Sequence, residues 1–299
     1  MGSVGLCYFR IKKNMDVRKD SHWRDVARNF TRHKLAMTAT VIILSEIILV
    51  IVLPVFLKLD PNMITPSFYA APGGGMLLGT DEVGRNVFAR LLEGGRMSLL
   101  IGISSAIISA LIGIPLGLLA GYMENAVRPV ILRITDIFMA IPMMIAAMFI
   151  VAMVGSSAWT VIVVIGLLGW PGFCRLAYGR VISVKENEYV EAAKAIGTKT
   201  SRIIFKDILP NSVAPLLVAF SGSVAGAIVT ESSLSFLGVG IQPPQASWGN
   251  MVYAAQSLSV LTNNWWMWMP AGLCLVVTVL SINFIGDGLR DALDPKMKV

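Results

Sequence analysis

Residues 98–122 read SLLIGISSAIISALIGIPLGLLAGY, a run without a single Asp, Glu, Lys or Arg. As a helix this stretch extends about 37 Å, enough to cross the ~30 Å hydrocarbon core of a bilayer. Within it Gly113, Gly117 and Gly121 recur at every fourth position. That spacing puts small residues on one face, where a second helix can approach closely. The stretch therefore reads as a membrane span with a packing surface.

Five more runs share this character, at about 37–57, 131–154, 158–178, 213–237 and 266–286. The fold class expected is an all-α membrane protein with six transmembrane helices. Pro115, Pro142 and Pro171 fall inside spans and are tolerable where neighbouring helices satisfy the freed carbonyls. Trp170-Pro171-Gly172 is expected to interrupt the fourth span. Gly222 and Gly226 give the fifth span a second small-residue row, read as helix packing. Composition agrees. The 299 residues are 55% hydrophobic and 14% charged, with mean hydropathy +0.70. A soluble domain carries about a quarter charged residues.

Charge sets the orientation. With the N-terminus inside, Lys and Arg number nine in the first 36 residues, two in 123–133, seven in 175–207 and three in the tail. Only Lys58, Arg85, Arg90 and Arg96 remain outside. Such a bias places both termini in the cytoplasm. The net charge of +7 then belongs to loops at an inner membrane face, and a nucleic-acid partner is not expected. Cys7, Cys174 and Cys274 are far apart, and His22 and His33 form no cluster with them. Neither a disulfide framework nor a metal site is indicated.

Three domain-level expectations follow. Residues 1–36 form a cytoplasmic segment, in which Trp23, Val26, Ala27 and Phe30 suggest an amphipathic helix on the inner leaflet. Residues 37–286 form the membrane domain, and 287–299 a cytoplasmic tail. An outer-surface helix is expected over 81–93, capped by Asp81, ended by Gly94-Gly95, with Arg85 on its polar face. Inside, residues 179–210 read as a folded loop. One helix runs from about Asn187 to Ile196 and stops at Gly197; a second starts near Thr200 and ends before Pro210, with Ile203, Ile204 and Ile208 on one face.

At this loop the sequence resembles a known pattern. Glu191-Ala192-Ala193, Gly197 and Leu209-Pro210 carry the spacing of the EAA loop of bacterial ABC importer permeases, with Asp207 where that pattern has Ile. Gly79-Thr80-Asp81 with Gly84-Arg85-Asn86 is similar to the outer signature of the dipeptide, oligopeptide and nickel branch, which usually has Asp where Asn86 stands. Ser235-Phe236-Leu237-Gly238, Gln242-Pro243-Pro244, Ser247-Trp248-Gly249 and the segment Asn283 to Pro295 resemble that branch too. The resemblance covers about residues 20–299.

The resemblance implies a type I ABC importer permease fold and a subunit forming half of a pore for di- and oligopeptides, or for nickel or nickel chelates. Its implied partners are a second related permease in a heterodimer, one or two cytoplasmic ATP-binding subunits and an extracytoplasmic binding protein. Membrane lipid surrounds the chain. ATP and Mg would be held by the partner ATPase. Glu191 would contact that subunit, Ala192 and Ala193 would keep the helix thin, and Gly197 would make the bend. The membrane implied is a bacterial or archaeal inner membrane.

From the residues themselves, no GxxxxGK[ST] phosphate loop occurs, so energy must reach this chain through contact. Glu231, with Ser232 and Ser235, is a candidate for the translocation path, because a carboxylate at membrane depth is costly unless used or paired. The alternative for Glu231 is a hydrogen-bonded structural carboxylate. Asp136 is expected to pair locally beside Arg133, and Glu46 to serve structure. An ion-coupled secondary transporter would instead show inverted repeats and paired broken helices, and an intramembrane enzyme a catalytic dyad at depth. Neither stands out.

Overall fold

The computed structural model describes residues 24–123 and 126–293. Trp23, Cys7, His22 and the tail beyond residue 293 lie outside them. Helix α1 covers 24–32, and α2 (Lys34–Phe56) follows after His33, whose Nδ1 accepts the Ala36 N–H at 3.1 Å. The other helices are α3 (Val87–Tyr122), α4 (Val127–Ala140), α5 (Met143–Val154), α6 (Ala158–Lys185), α7 (Glu188–Ala195), α8 (Thr200–Arg202), α9 (Leu209–Phe236), α10 (Trp248–Tyr253), α11 (Leu258–Asn263) and α12 (Met269–Leu293). Among the described residues there is no strand, only isolated bridges in the outer loop.

Among the described residues five helical stretches are long and apolar enough to cross a membrane, and the α4–α5 pair makes a sixth only as a span bent by 82°. The expectation of one continuous helix over 131–154 therefore fails at Ile141-Pro142. Pro142 has no N–H to bond back, and its ring crowds the preceding turn. Trp170-Pro171-Gly172 behaves oppositely. It lies inside the unbroken α6, as Pro115 lies inside α3.

The bundle is centred on α3 and α6, and the glycine row explains why. A Cβ at Gly113 would meet the backbone of Trp170 and Cys174, one at Gly117 the carbonyl of Cys174, and one at Gly121 the Val181 side chain. The bare backbones of α3 thus sit directly on α6. Gly222 and Gly226 differ: a Cβ on either would meet nothing within 4 Å. Their row on α9 is not a packing surface inside this chain.

Helix α4 climbs antiparallel along α6. The Arg128 guanidinium lies 5.8 Å from the Tyr178 ring centroid, and the Thr135 hydroxyl faces the Cys174 sulfur at 3.6 Å. Phe138 meets Trp170 edge-on, with centroids 5.3 Å apart. Asp136 pairs with Arg175 of α6, not with Arg133 as the sequence suggested. One turn of helix separates Arg133 from Asp136, but α6 lies closer to the carboxylate. Helix α2 lies against α3 and α12, and the Thr278 hydroxyl reaches Glu46 Oε2 at 2.8 Å. That bond gives Glu46 its structural partner.

Helix boundaries shift at both faces. Residues 81–86 are a turn, and α3 starts at Val87, capped by the Asn86 carboxamide accepting from Phe88 and Ala89. Gly94-Gly95 do not end it: they press against Trp248, and the helix runs on as the span. The separate surface helix expected over 81–93 is absent. On the inner side α6 extends to Lys185, so the protruding loop is shorter than 179–210. At the far end α12 continues past 286 to Leu293.

Candidate functional site

At the end of the bundle where charge predicts the cytoplasm, α7 is a short helix whose N-cap position is Asn187 and whose end is set by Gly197 at φ +73°. An L side chain is strained there, so glycine lets the chain reverse immediately after the helix. The chain re-enters through α8 and a π turn over Ile203–Ile208, then continues as α9. The second helix thus has no end before Pro210; proline sits directly after the π turn, in the first turn of α9.

The tip is held by a small apolar core. Val190, Ile203, Ile204 and Ile208 are buried with Leu118, Val181 and Val184, and Ala193 and Leu209 pack at the edge. The face expected from Ile203, Ile204 and Ile208 is the one buried. The two alanines divide. Ala193 faces this core, whereas Ala192 and Glu191 point to solvent. Lys185 and Lys194 approach the Tyr122 ring at 5.9 and 5.7 Å, tying α7 to the end of α3. Asn211 donates to the Tyr189 hydroxyl and to the Asp207 carbonyl. Tyr122, Tyr189 and Asn211 were not legible as site residues: their partners are remote or depend on the turn.

Beyond this core the tip is open. Ile196 is 82% exposed, Phe205 62% and Tyr189 47%. Lys199, Arg202 and Lys206 surround Phe205 and border the same shallow hollow as Gly197. Together these residues make a small apolar knob with a basic surround.

At the outer end Glu231 is 0% exposed and Ser235 2%. Ser235 donates to Glu231 Oε1 at 2.7 Å; Ser98 and Ser232 donate to Oε2 at 3.1 and 3.3 Å. The same hydroxyls accept backbone donors, Ser98 from Trp248 N–H and Ser235 from Ile241 N–H. The carboxylate is enclosed by α3, α9 and the segment leading into α10. Glu231 is thus held as a hydrogen-bonded buried acid. Ser232 borders the groove beside Met144, and Ser235 borders a cavity that Asp81, Arg85 and Arg90 also line.

Asp81 organises the outer loop. Its Oδ1 accepts from Val83 and Arg85 N–H, and its Oδ2 from Arg85 Nε at 2.7 Å, with Arg90 Nε at 3.6 Å. Arg90 also donates to the Pro244 carbonyl, and Trp266 to the Thr80 carbonyl. Asp81 thus closes the turn with Arg85 and ties it to α3 through Arg90, while Arg90 and Thr80 make the links to the 238–268 region. Among the described residues no cluster of His, Cys, Asp and Glu could hold a metal ion.

Comparison with known proteins places this geometry. Residues 113–299 match the family described as binding-protein-dependent transport system inner membrane component, and residues 21–72 the N-terminal transmembrane domain of oligopeptide transport permease C. The chain is 38% identical over 278 residues to the di/tripeptide transport system permease protein DppC of Pseudomonas aeruginosa, covering 91% of each. It is 36% identical over 282 residues to the oligopeptide transport system permease protein OppC of Bacillus subtilis, covering 93% of this chain and 91% of that one. Among solved structures, an inward-facing MetNI methionine ABC transporter chain aligns with TM-score 0.58 at 19% identity, covering 69% of this chain and 96% of that chain. The protein belongs to the family of inner-membrane permease components of binding-protein-dependent ABC importers, within its peptide and dipeptide branch.

Proposed function

We propose that this subunit forms one half of a translocation pore for di- and oligopeptides and couples it to ATP hydrolysis in separate cytoplasmic subunits. The observation that carries the reading is the α7–Gly197–α8 tip, with Glu191 and Ala192 outward and Ile196 and Phe205 bare. A second, related permease completes the pore as a heterodimer. One or two ATP-binding subunits, which hold ATP and Mg, receive the tip, and an extracytoplasmic binding protein delivers substrate. Both termini face the cytoplasm of a bacterial or archaeal cell. The names of the peptide-transporting relatives support the substrate class.

The test is a pull-down of the tagged subunit in mild detergent, with ATPase activity assayed in the eluate. The expected eluate contains a second permease and an ATP-binding protein. Glu191→Lys places a cation in the tip and is expected to abolish substrate-stimulated hydrolysis while leaving the two permeases paired. Normal stimulated hydrolysis in that variant sinks the coupling role. A chain that purifies alone overturns the coupling reading.

A further inference from the structure

The interruption between α4 and α5 sits where backbone is least tolerable. Phe138 lies level with Trp170, which is twelve residues into α6 from its outer end at Ala158. Twelve residues of helix rise about 18 Å, so Ile141-Pro142 falls near the bilayer midplane. Outward of it, Ala147 and Val151 pack with Val161 and Ile165 of the outer half of α6. The break is therefore not a surface turn.

Among the described residues the backbone groups it frees find no partner. Pro142 offers no N–H to the Phe138 carbonyl, which it would bond in a continuous helix. The first backbone bond of α5 runs from Ala146 N–H to the Pro142 carbonyl, and no side chain caps Met143, Met144 or Ile145. Residues 136–142 are exposed. An unsatisfied backbone group in hydrocarbon costs several kcal/mol, and irregular backbone at this depth survives only where protein or water covers it. Lipid on this face would meet at least four such groups.

The adjoining surface is concave and largely apolar. Met144, immediately after the break, borders a groove of about 550 Å³ lined by Val229, Phe236, Leu275 and Val276, with Ser232 and Ser233 of α9 as its polar edge. Further along the same helix Gly222 and Gly226 leave their backbone uncovered.

We infer that residues 140–143 line the water-filled path between this subunit and its partner permease, and do not face lipid. The inference rests on the pore reading above and adds the segment that wets it.

The experiment labels single cysteines in the assembled importer reconstituted in vesicles, with Cys7, Cys174 and Cys274 replaced. The probe is a membrane-impermeant methanethiosulfonate ammonium reagent applied on both sides. Ala140→Cys and Ile141→Cys change exposed side chains; Leu44→Cys, 53% exposed at mid-height on the peripheral α2, is the lipid reference. Only a hydrated thiolate reacts, so both break positions are expected to label about tenfold or more faster than Leu44→Cys. Rates equal to that reference in a complex that retains its ATPase overturn the inference while the importer reading stands. A preparation that retains no ATPase partner overturns the importer reading and this inference with it.

Discussion

A carboxylate closed in by three serine hydroxyls behaves as a bolt. Glu231 holds α3 through Ser98 and the α10 approach through the peptide N–H groups those hydroxyls accept. Glu231→Ala is expected to cost about 1–3 kcal/mol, since Ser98 and Ser235 lose a buried acceptor. Glu231→Gln should cost less. The check is the melting temperature of the purified complex beside uptake per assembled complex. The melting point should fall and uptake per complex should hold; the reverse would return Glu231 to the path. The glycines divide in the same manner. Gly117→Val drives methyl groups into Cys174 and Ala177 and is expected to destabilise the bundle by about 1–3 kcal/mol. Gly222→Ala meets no neighbour in this chain and should leave its folding intact, as thermal denaturation of the isolated subunit can show.

Among the elements, those spelled by one long apolar run could be read directly. Spans at 37–57, 98–122 and 213–237 needed only their own composition, and Gly197 needed only its place after a periodic run. Elements decided by contact could not be read this way. Pro171 and Pro142 look alike in sequence, yet one lies inside a helix clasped by α3 and the other ends a helix whose far side is bare. Residues 81–93 alternate like a surface helix. Asp81 instead spends its oxygens on a turn and two arginines, leaving the cap to Asn86. Part of the Glu231 cage was legible, because Ser232 and Ser235 lie within about one turn of the acid; Ser98, 133 positions away, was not.

For the molecule as a whole, orientation rests on charge. The split of basic residues predicts that a reporter fused after the last residue is active when the reporter requires the cytoplasm and silent when it requires export. The opposite pattern would invert the bundle and put the α7 tip outside, ending the coupling role.

The helical run Thr200–Phe236 spans 37 residues, about 55 Å as a single rod. It begins at the exposed tip and ends at the Glu231 cage, so one stiff member joins the two faces. The π turn over Ile203–Ile208 holds one residue more than an α turn would. The wider turn absorbs that residue, so the helix on either side of it keeps a common phase. A residue deleted higher up, within the regular winding between Leu209 and Glu231, would have no such slack and would turn the outer part of α9 by about 100° relative to the tip. Glu231 would then swing away from Ser98 together with Ser232 and Ser235, while the tip kept its shape. The rod acts as a drive shaft with one slack turn at its base.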